Sequence, residues 1–223
     1  MRFFSVGELV GHKGSKTFFL FWVFLFALLI DLGILGLFWF VGYDILIFKK
    51  TVSSPYRVVV VEGWLNDRVL RRVADLVNKG SVKRVFVVGN RMEYASNFFP
   101  KHTFAEMGRL ILIRYGVPKD KIVAVPFDVL RDRTLASAMA LKEYLDKRHM
   151  DVHAFEILTE DIHSRRTYMT YRAVFGRDIE IGVVPISNGV FDSFNWHYCS
   201  EGLKQVFAED VALLYYWLKL GLR

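Results

Sequence analysis

The run "EILTEDIHSRRTYMTYRAVFG" (156–176) begins as a strand and continues as a helix. "HAFEILTE" (153–160) reads as a buried strand, and "IHSRRTYMTYRAVFG" (162–176) as a helix that Gly176 ends. A strand that feeds straight into a helix is half of a βαβ crossover, the unit of parallel sheets. The helix start carries an anomaly. His163, Arg165 and Arg166 stand in its first turn, where the partial positive charge of a helix N-terminus disfavours cations by about 0.3–1 kcal/mol each. An anion seated among them would explain the placement.

The same alternation extends to both sides. "RVVVVEGW" (57–64) is a β-branched run suited to a strand covered on both faces, followed by the helical pattern "NDRVLRRVADLVNKG" (66–80), with Asn66 as N-cap and Gly80 as stop. "RVFVVGN" (84–90), "KIVAVP" (121–126) and "IEIGVVPI" (179–186) are further strands. Between them lie the helices "HTFAEMGRLILIRYG" (102–116) and "RDRTLASAMALKEYLDKR" (131–148), the second with Asp132 as N-cap. An aromatic loop (187–200) leads to a last helix (201–220), in which Leu203, Val206, Phe207, Val211, Leu214 and Leu218 recur at helical spacing; its aromatic end "LYYWLKL" (214–220) is expected to pack on the sheet, the alternative being a place in a membrane interface. Five strands alternating with helices imply right-handed crossovers and an α/β fold: a Rossmann-like open, mainly parallel sheet with helices on both faces.

A different segment precedes this domain. "TFFLFWVFLFALLIDLGILGLFWFVGYDILIF" (17–48) holds only Asp31 as a charge between Phe18 and Tyr43. That is enough for one transmembrane helix and too short for two. It is longer than a signal-peptide core, and no small-residue cleavage site follows. The expected organisation is a flank (1–16), a membrane anchor (17–48), a polar linker (49–56) and the α/β domain (57–223). Asp31 in the apolar segment marks a point where a partner helix would bind, or a tolerated carboxyl. Basic residues flank both ends of the anchor, so charge does not decide its orientation. The formal net charge of +7 is scattered, without a basic block, and nucleic acid is not an expected partner. Anionic lipid headgroups or an anionic ligand fit that charge better. The single cysteine, Cys199, excludes an internal disulfide.

Ligands of such sheets bind beyond the carboxyl ends of the strands, and that rule selects the candidate site. His163 and Arg166, three residues apart, share one face of the helix start. The arginine suits bidentate binding of a phosphate or carboxylate, and the histidine suits proton transfer. The plainer alternative pairs Glu160 and Asp161 with the arginines at the surface. Glu62 follows the first strand as a candidate base or as a partner for Arg166. Gly63 permits close approach of backbone. Thr134 opens a helix beside the same edge, and Glu106 lies early in its helix, as a catalytic carboxylate or a favourable first-turn charge. No Gly-rich dinucleotide fingerprint, phosphate-binding loop, nucleophile elbow or HExxH pair occurs, and the dispersed histidines lack zinc spacing. No metal is expected, and no cofactor is specified.

The order of "VVGN", "AEMGRLILIRYGVPKDKIVAVP", "RTLASAMALKEYL" and "ILTEDIHSRRTYMTYRAVFG" resembles the YdcF-like family, which includes SanA and ElyC. The resemblance covers about 57–186. Its Thr-Ser-x-x-His-x-x-Arg pattern corresponds to Thr159, Glu160, His163 and Arg166. Its Glu before Met corresponds to Glu106, and its Asn-Thr-x-x-Asn pattern to Arg133, Thr134 and Ser137. A Gly-Gly pair usual after the first strand is replaced by "VVEGWLND", and a second by Gly89–Asn90. The resemblance implies an inner- or plasma-membrane protein with its domain on the extracytoplasmic side, active in envelope biogenesis. The expected site is then His163, Glu62 and Glu106 as catalytic residues, with Arg166, Thr159, Thr134, Gly89, Gly63, Asn90 and Ser137 binding an anionic or lipid-linked precursor. The expected activity is that of a hydrolase or transferase. The alternatives are a sensor of a nucleotide-like or lipid ligand, and a scaffold.

Overall fold

The computed structural model describes residues 8–53, 57–80, 82–92 and 103–221. Part of the N-terminal flank, linker residues 54–56 and residues 93–102 lie outside the described residues. The chain divides into two units, Met1–Gly42 and Tyr43–Arg223.

The first unit is helical. Its helix α1 (Glu8–Leu46) contains a segment, Lys16–Leu46, long and apolar enough to cross a membrane. Those 31 residues span about 46 Å at 1.5 Å per residue, more than the about 30 Å of a bilayer core requires. The large apolar side chains from Phe18 to Phe40 are mostly exposed.

The second unit is an α/β domain with the order β1 (Arg57–Glu62), α2 (Asp67–Lys79), β2 (Val82–Asn90), α3 (Phe104–Arg114), β3 (Ile122–Phe127), α4 (Arg133–Lys147), β4 (Ala154–Glu160), α5 (Ser164–Phe175), β5 (Glu180–Ile186) and α6 (Ser200–Gly221). All five strands are parallel and lie in the order β3-β2-β1-β4-β5. The period-2 alternation of strands divides the valines of β1 between two cores. Val59 and Val61 pack with Val69, Val73 and Leu112 of α2 and α3. Val60 packs on the other face with Leu141 of α4 and Tyr171 of α5. The strand order reverses direction between β1 and β4, which makes their carboxyl ends the switch point of the sheet.

The domain starts earlier than the sequence predicts. Tyr43 and Leu46, in the last turn of α1, are 4% and 1% exposed. The polar linker is no loose tether over its described part: Lys50 and Val183 exchange two backbone hydrogen bonds at 3.0 and 2.7 Å, an antiparallel bridge on the β5 edge. The packed face of α6 also differs. Gly202, Val206, Glu209 and Tyr216 point inward, whereas Phe207, Val211, Leu214 and Leu218 are exposed. The buried face carries Glu209, the more apolar stripe lies outward, and Val206 is the one residue of the apolar stripe that is buried.

Glycines set how α3 meets the sheet. A Cβ at Gly63 would run into the Phe104 carbonyl, and one at Gly89 into the Ala105 amide. Gly108 completes the contact, since a Cβ there would come 2.9 Å from the Gly63 Cα. The helix start is thus seated directly on the ends of β1 and β2. Gly89→Ala is expected to lower stability by about 1–3 kcal/mol or more by overpacking. Gly36→Ala, whose Cβ meets nothing within 4 Å, is expected to leave the melting temperature unchanged. Thermal unfolding of the detergent-solubilised full chain measures both.

Candidate active site

At the switch point, the Thr159 hydroxyl donates to Glu62 Oε2 at 2.6 Å, joining the carboxyl ends of β4 and β1. Glu62 is 1% exposed, and its Oε1 is buried without a hydrogen-bond partner. Burial pushes its carboxyl above the ordinary range, against the pull of Thr159, His163 and Arg166. Tyr171 on α5 feels the same environment: its hydroxyl is also buried and unpartnered, and burial with nearby Glu62 pushes it up.

Beyond β4 the chain makes a single 3-10 turn, Asp161–His163, before α5. The cations there meet an anion, and it belongs to the protein. Glu209 of α6 holds Arg166 bidentately, with Nη2 to Oε1 at 2.6 Å and Nε to Oε2 at 2.8 Å. The same Oε1 lies 2.8 Å from His163 Nδ1. Arg166 Nη1 also donates to the Thr134 hydroxyl, and its guanidinium lies 5.5 Å over the Tyr216 ring. Burial pushes Glu209 up, but His163 and Arg166 outweigh it and hold the carboxyl at about 2. Burial alone would lower Arg166, and Glu209 more than offsets that.

His163 Nδ1 is also 3.1 Å from Arg166 Nη2. A single ring nitrogen cannot donate to Glu209 and accept from Arg166 at once. The shorter contact and the charge of Glu209 assign the proton to Nδ1, which makes Nε2 the basic nitrogen. The ring stands edge-on to Trp64 at 4.9 Å and keeps 15% of its side chain exposed. It opens into a cleft of about 360 Å3 walled by Trp64, Asn66, Glu160, Asn188, Gln205 and Glu209. Asn188 Nδ2 donates to Glu160 at 2.6 Å, and its Oδ1 accepts from the Val190 amide, so this wall is tied down.

Other candidates take structural roles. Glu106 accepts from the Thr103 hydroxyl at 3.1 Å, and that hydroxyl accepts from the Glu106 amide. This is a capping arrangement on α3, not a group turned to the cleft. Gly63 and Gly89 are covered by the α3 backbone, so no ligand approaches along the path their Cβ atoms would take. Ser137 is buried within α4. Asn90 is 1% exposed, with Nδ2 donating to the Arg91 carbonyl and Oδ1 buried without a partner. Asp132 occupies the N-cap position of α4 in a left-handed conformation and makes no side-chain cap; its carboxylate pairs with Lys219 at 2.6 Å. Glu160 and Asp161 do not pair with the arginines. Asp161 Oδ2 accepts from the Tyr43 hydroxyl at 2.8 Å. Arg165 turns away from the cleft and donates to the carbonyls of Ile45 and Ile47.

The residue that sequence reasoning missed is Glu209. Its only local signal is an acidic pair, Glu209–Asp210, inside an apolar helix. Among the described residues no group of three or more His, Cys, Asp or Glu is placed to hold a metal ion. No protein-family model matches the chain, and no curated protein is significantly similar to it. Fold and cleft define a class: an α/β domain of Rossmann-like strand order with a buried Arg–Glu–His network at its switch point.

Opposite shifts of the two glutamates give opposite pH dependences. Glu209 contributes stability that is present above its ordinary value of 4.5 and is lost as pH falls toward about 2. Glu62, raised from 4.5, contributes stability that is present below that value and is lost as pH rises through its folded value. Glu62→Gln is therefore expected to raise the melting temperature at pH 8 and to leave it nearly unchanged at pH 4. Melting curves of the two proteins across this range check the sign.

Proposed function

We propose that this is a membrane-anchored enzyme of cell-envelope biogenesis, a hydrolase or transferase for a glycosylated or phosphorylated envelope precursor, with its domain on the extracytoplasmic side. The observation that carries the reading is the His163–Glu209 pair at the switch point. A carboxylate that holds Nδ1–H fixes the tautomer and orientation of the ring and stabilises the imidazolium formed when Nε2 takes a proton. Arg166 keeps that carboxylate ionised. In this role His163 removes the proton from water or from an acceptor hydroxyl and returns it to the leaving group.

The geometry alters one part of the expectation from sequence. Arg166 was the expected clamp for the ligand's negative charge, but its fork is filled by Glu209. The cleft wall offers amides, two carboxylates and the ring of Trp64. That lining suits hydroxyl groups better than phosphate, so the reading places the hydroxyl-bearing part of the precursor beside His163. Resemblance to the YdcF-like family, through Thr159, His163, Arg166 and Thr134, supports the envelope assignment and the side of the membrane.

A non-catalytic sensor is the second reading. One observation favours it: Arg166, His163, Thr134 and Glu209 satisfy one another without any ligand. Turnover of a panel of polyprenyl-linked phosphosugars by the full chain in detergent separates the two. The enzyme reading predicts that His163→Gln lowers turnover by about 10²–10⁴-fold while the melting temperature stays close to that of the parent. Saturable binding across the panel with no turnover by the parent chain would contradict it and leave the sensor.

A further inference from the structure

A second concavity, separate from the cleft, lies against α5 and α6. It is a groove of about 420 Å3 lined by Ile45, Arg165, Met169, Leu213, Leu214 and Trp217, with Asp210 at its polar side. Its volume falls within the about 300–1,000 Å3 typical of ligand pockets. The lining is aliphatic or aromatic except at one place, where Arg165 and Asp210 stand. Asp210 Oδ2 is buried there without a hydrogen-bond partner among the described residues. Arg165 spends two of its N–H groups on the Ile45 and Ile47 carbonyls and retains others, since a guanidinium has five.

Two observations identify the occupant. First, Ile45 belongs both to the groove and to the apolar segment Lys16–Leu46. It lies three residues beyond Gly42, so chain connectivity alone brings the groove to the end of the segment that can cross a membrane. Second, the groove continues onto the outward stripe of α6. Val211, Leu214 and Trp217 are 68%, 57% and 59% exposed there, with Tyr215 beside them. A row of exposed aliphatic residues with Trp and Tyr has the composition of a membrane–water interface.

We infer that this groove takes one hydrocarbon chain of a bilayer lipid, with the lipid's polar end at Arg165 and Asp210. The inference rests on the membrane-anchored reading and adds to it a lipid site separate from the cleft. Arg165 and Arg166 are consecutive, as are Glu209 and Asp210, so each neighbouring pair sends one member to the groove and the other to the cleft network.

The test uses tryptophan quenching by brominated lipid. Trp22 and Trp39 lie in α1 and would themselves be quenched, so the full chain carries Trp22→Phe and Trp39→Phe. It is reconstituted into phosphatidylcholine vesicles with bromine on the acyl chains. The expected result is a loss of emission relative to unbrominated vesicles, and Trp217→Phe should abolish that difference. Met169→Trp, which fills the groove, should remove the lipid adduct that native mass spectrometry of the parent retains. Equal emission in the two vesicle types would overturn the inference. So would a lipid-free species of twice the chain mass that protects Trp217, since the face would then join two copies. His163→Gln is expected to leave the quenching intact. Lost quenching with His163-dependent turnover retained therefore refutes the groove alone, and the reverse result refutes the cleft alone.

Discussion

One carboxylate fixes which face of the last helix turns inward. Arg166 stands at the switch point of a parallel sheet with only 11% of its side chain exposed. Burying an unpaired guanidinium there would cost several kcal/mol, and a bidentate carboxylate offsets that cost only when its geometry is good. Glu209 supplies such geometry with contacts of 2.6 and 2.8 Å. To do so, α6 must cross the domain with Glu209 inward. At 3.6 residues per turn, Gly202, Val206 and Tyr216 turn inward with it. Phe207, Val211 and Leu214 are then left outside. The exposed apolar stripe is thus the geometric counterpart of a buried ion network.

The short turn after β4 works in two directions. Asp161, Ser164 and Arg165 hold the end of α1 and the chain after it. Asp161 accepts from the Tyr43 hydroxyl, Ser164 Oγ accepts from the Phe48 amide at 2.8 Å, and Arg165 binds the Ile45 and Ile47 carbonyls. Arg165 meets the carbonyl end of a helix, where a cation is favoured, and this answers its presence in a helix start that disfavours it. His163 and Arg166 face Glu209 instead. A 3-10 turn passing directly into α5 separates these neighbours by angle, so that adjacent residues serve two structures.

Much of the sheet was legible because buried strands write continuous β-branched runs. "RVVVV" and "RVFVV" have no other economical reading, and the helices between them follow from spacing and caps such as Asn66, which accepts from the Val69 amide at 2.9 Å. The α6 face was not legible, because its more apolar stripe faces outward, and the inward face is selected by Glu209 through its distant partners rather than by hydrophobic spacing. Glu209 was hidden for a related reason: its partners lie 43 and 46 residues away in sequence, and nothing local marks the pairing. Glu106 illustrates the converse. Thr103 and Glu106 stand at capping-box spacing, which local reasoning can detect, and that role competes with a place in the cleft. Asp132 sits where an N-cap belongs, but Lys219 draws its carboxylate away from the helix.

A double-mutant cycle on Arg166 and Glu209 tests the central pairing most directly. Urea unfolding of the full chain, followed by far-UV circular dichroism, gives the stabilities of Arg166→Met, Glu209→Leu and the double variant. The account predicts that each single change costs about 3–5 kcal/mol, because it leaves one buried charge alone, and that the double variant is more stable than either single one. Additive losses would contradict the account, because Arg166 and Glu209 would then be stabilised by other groups.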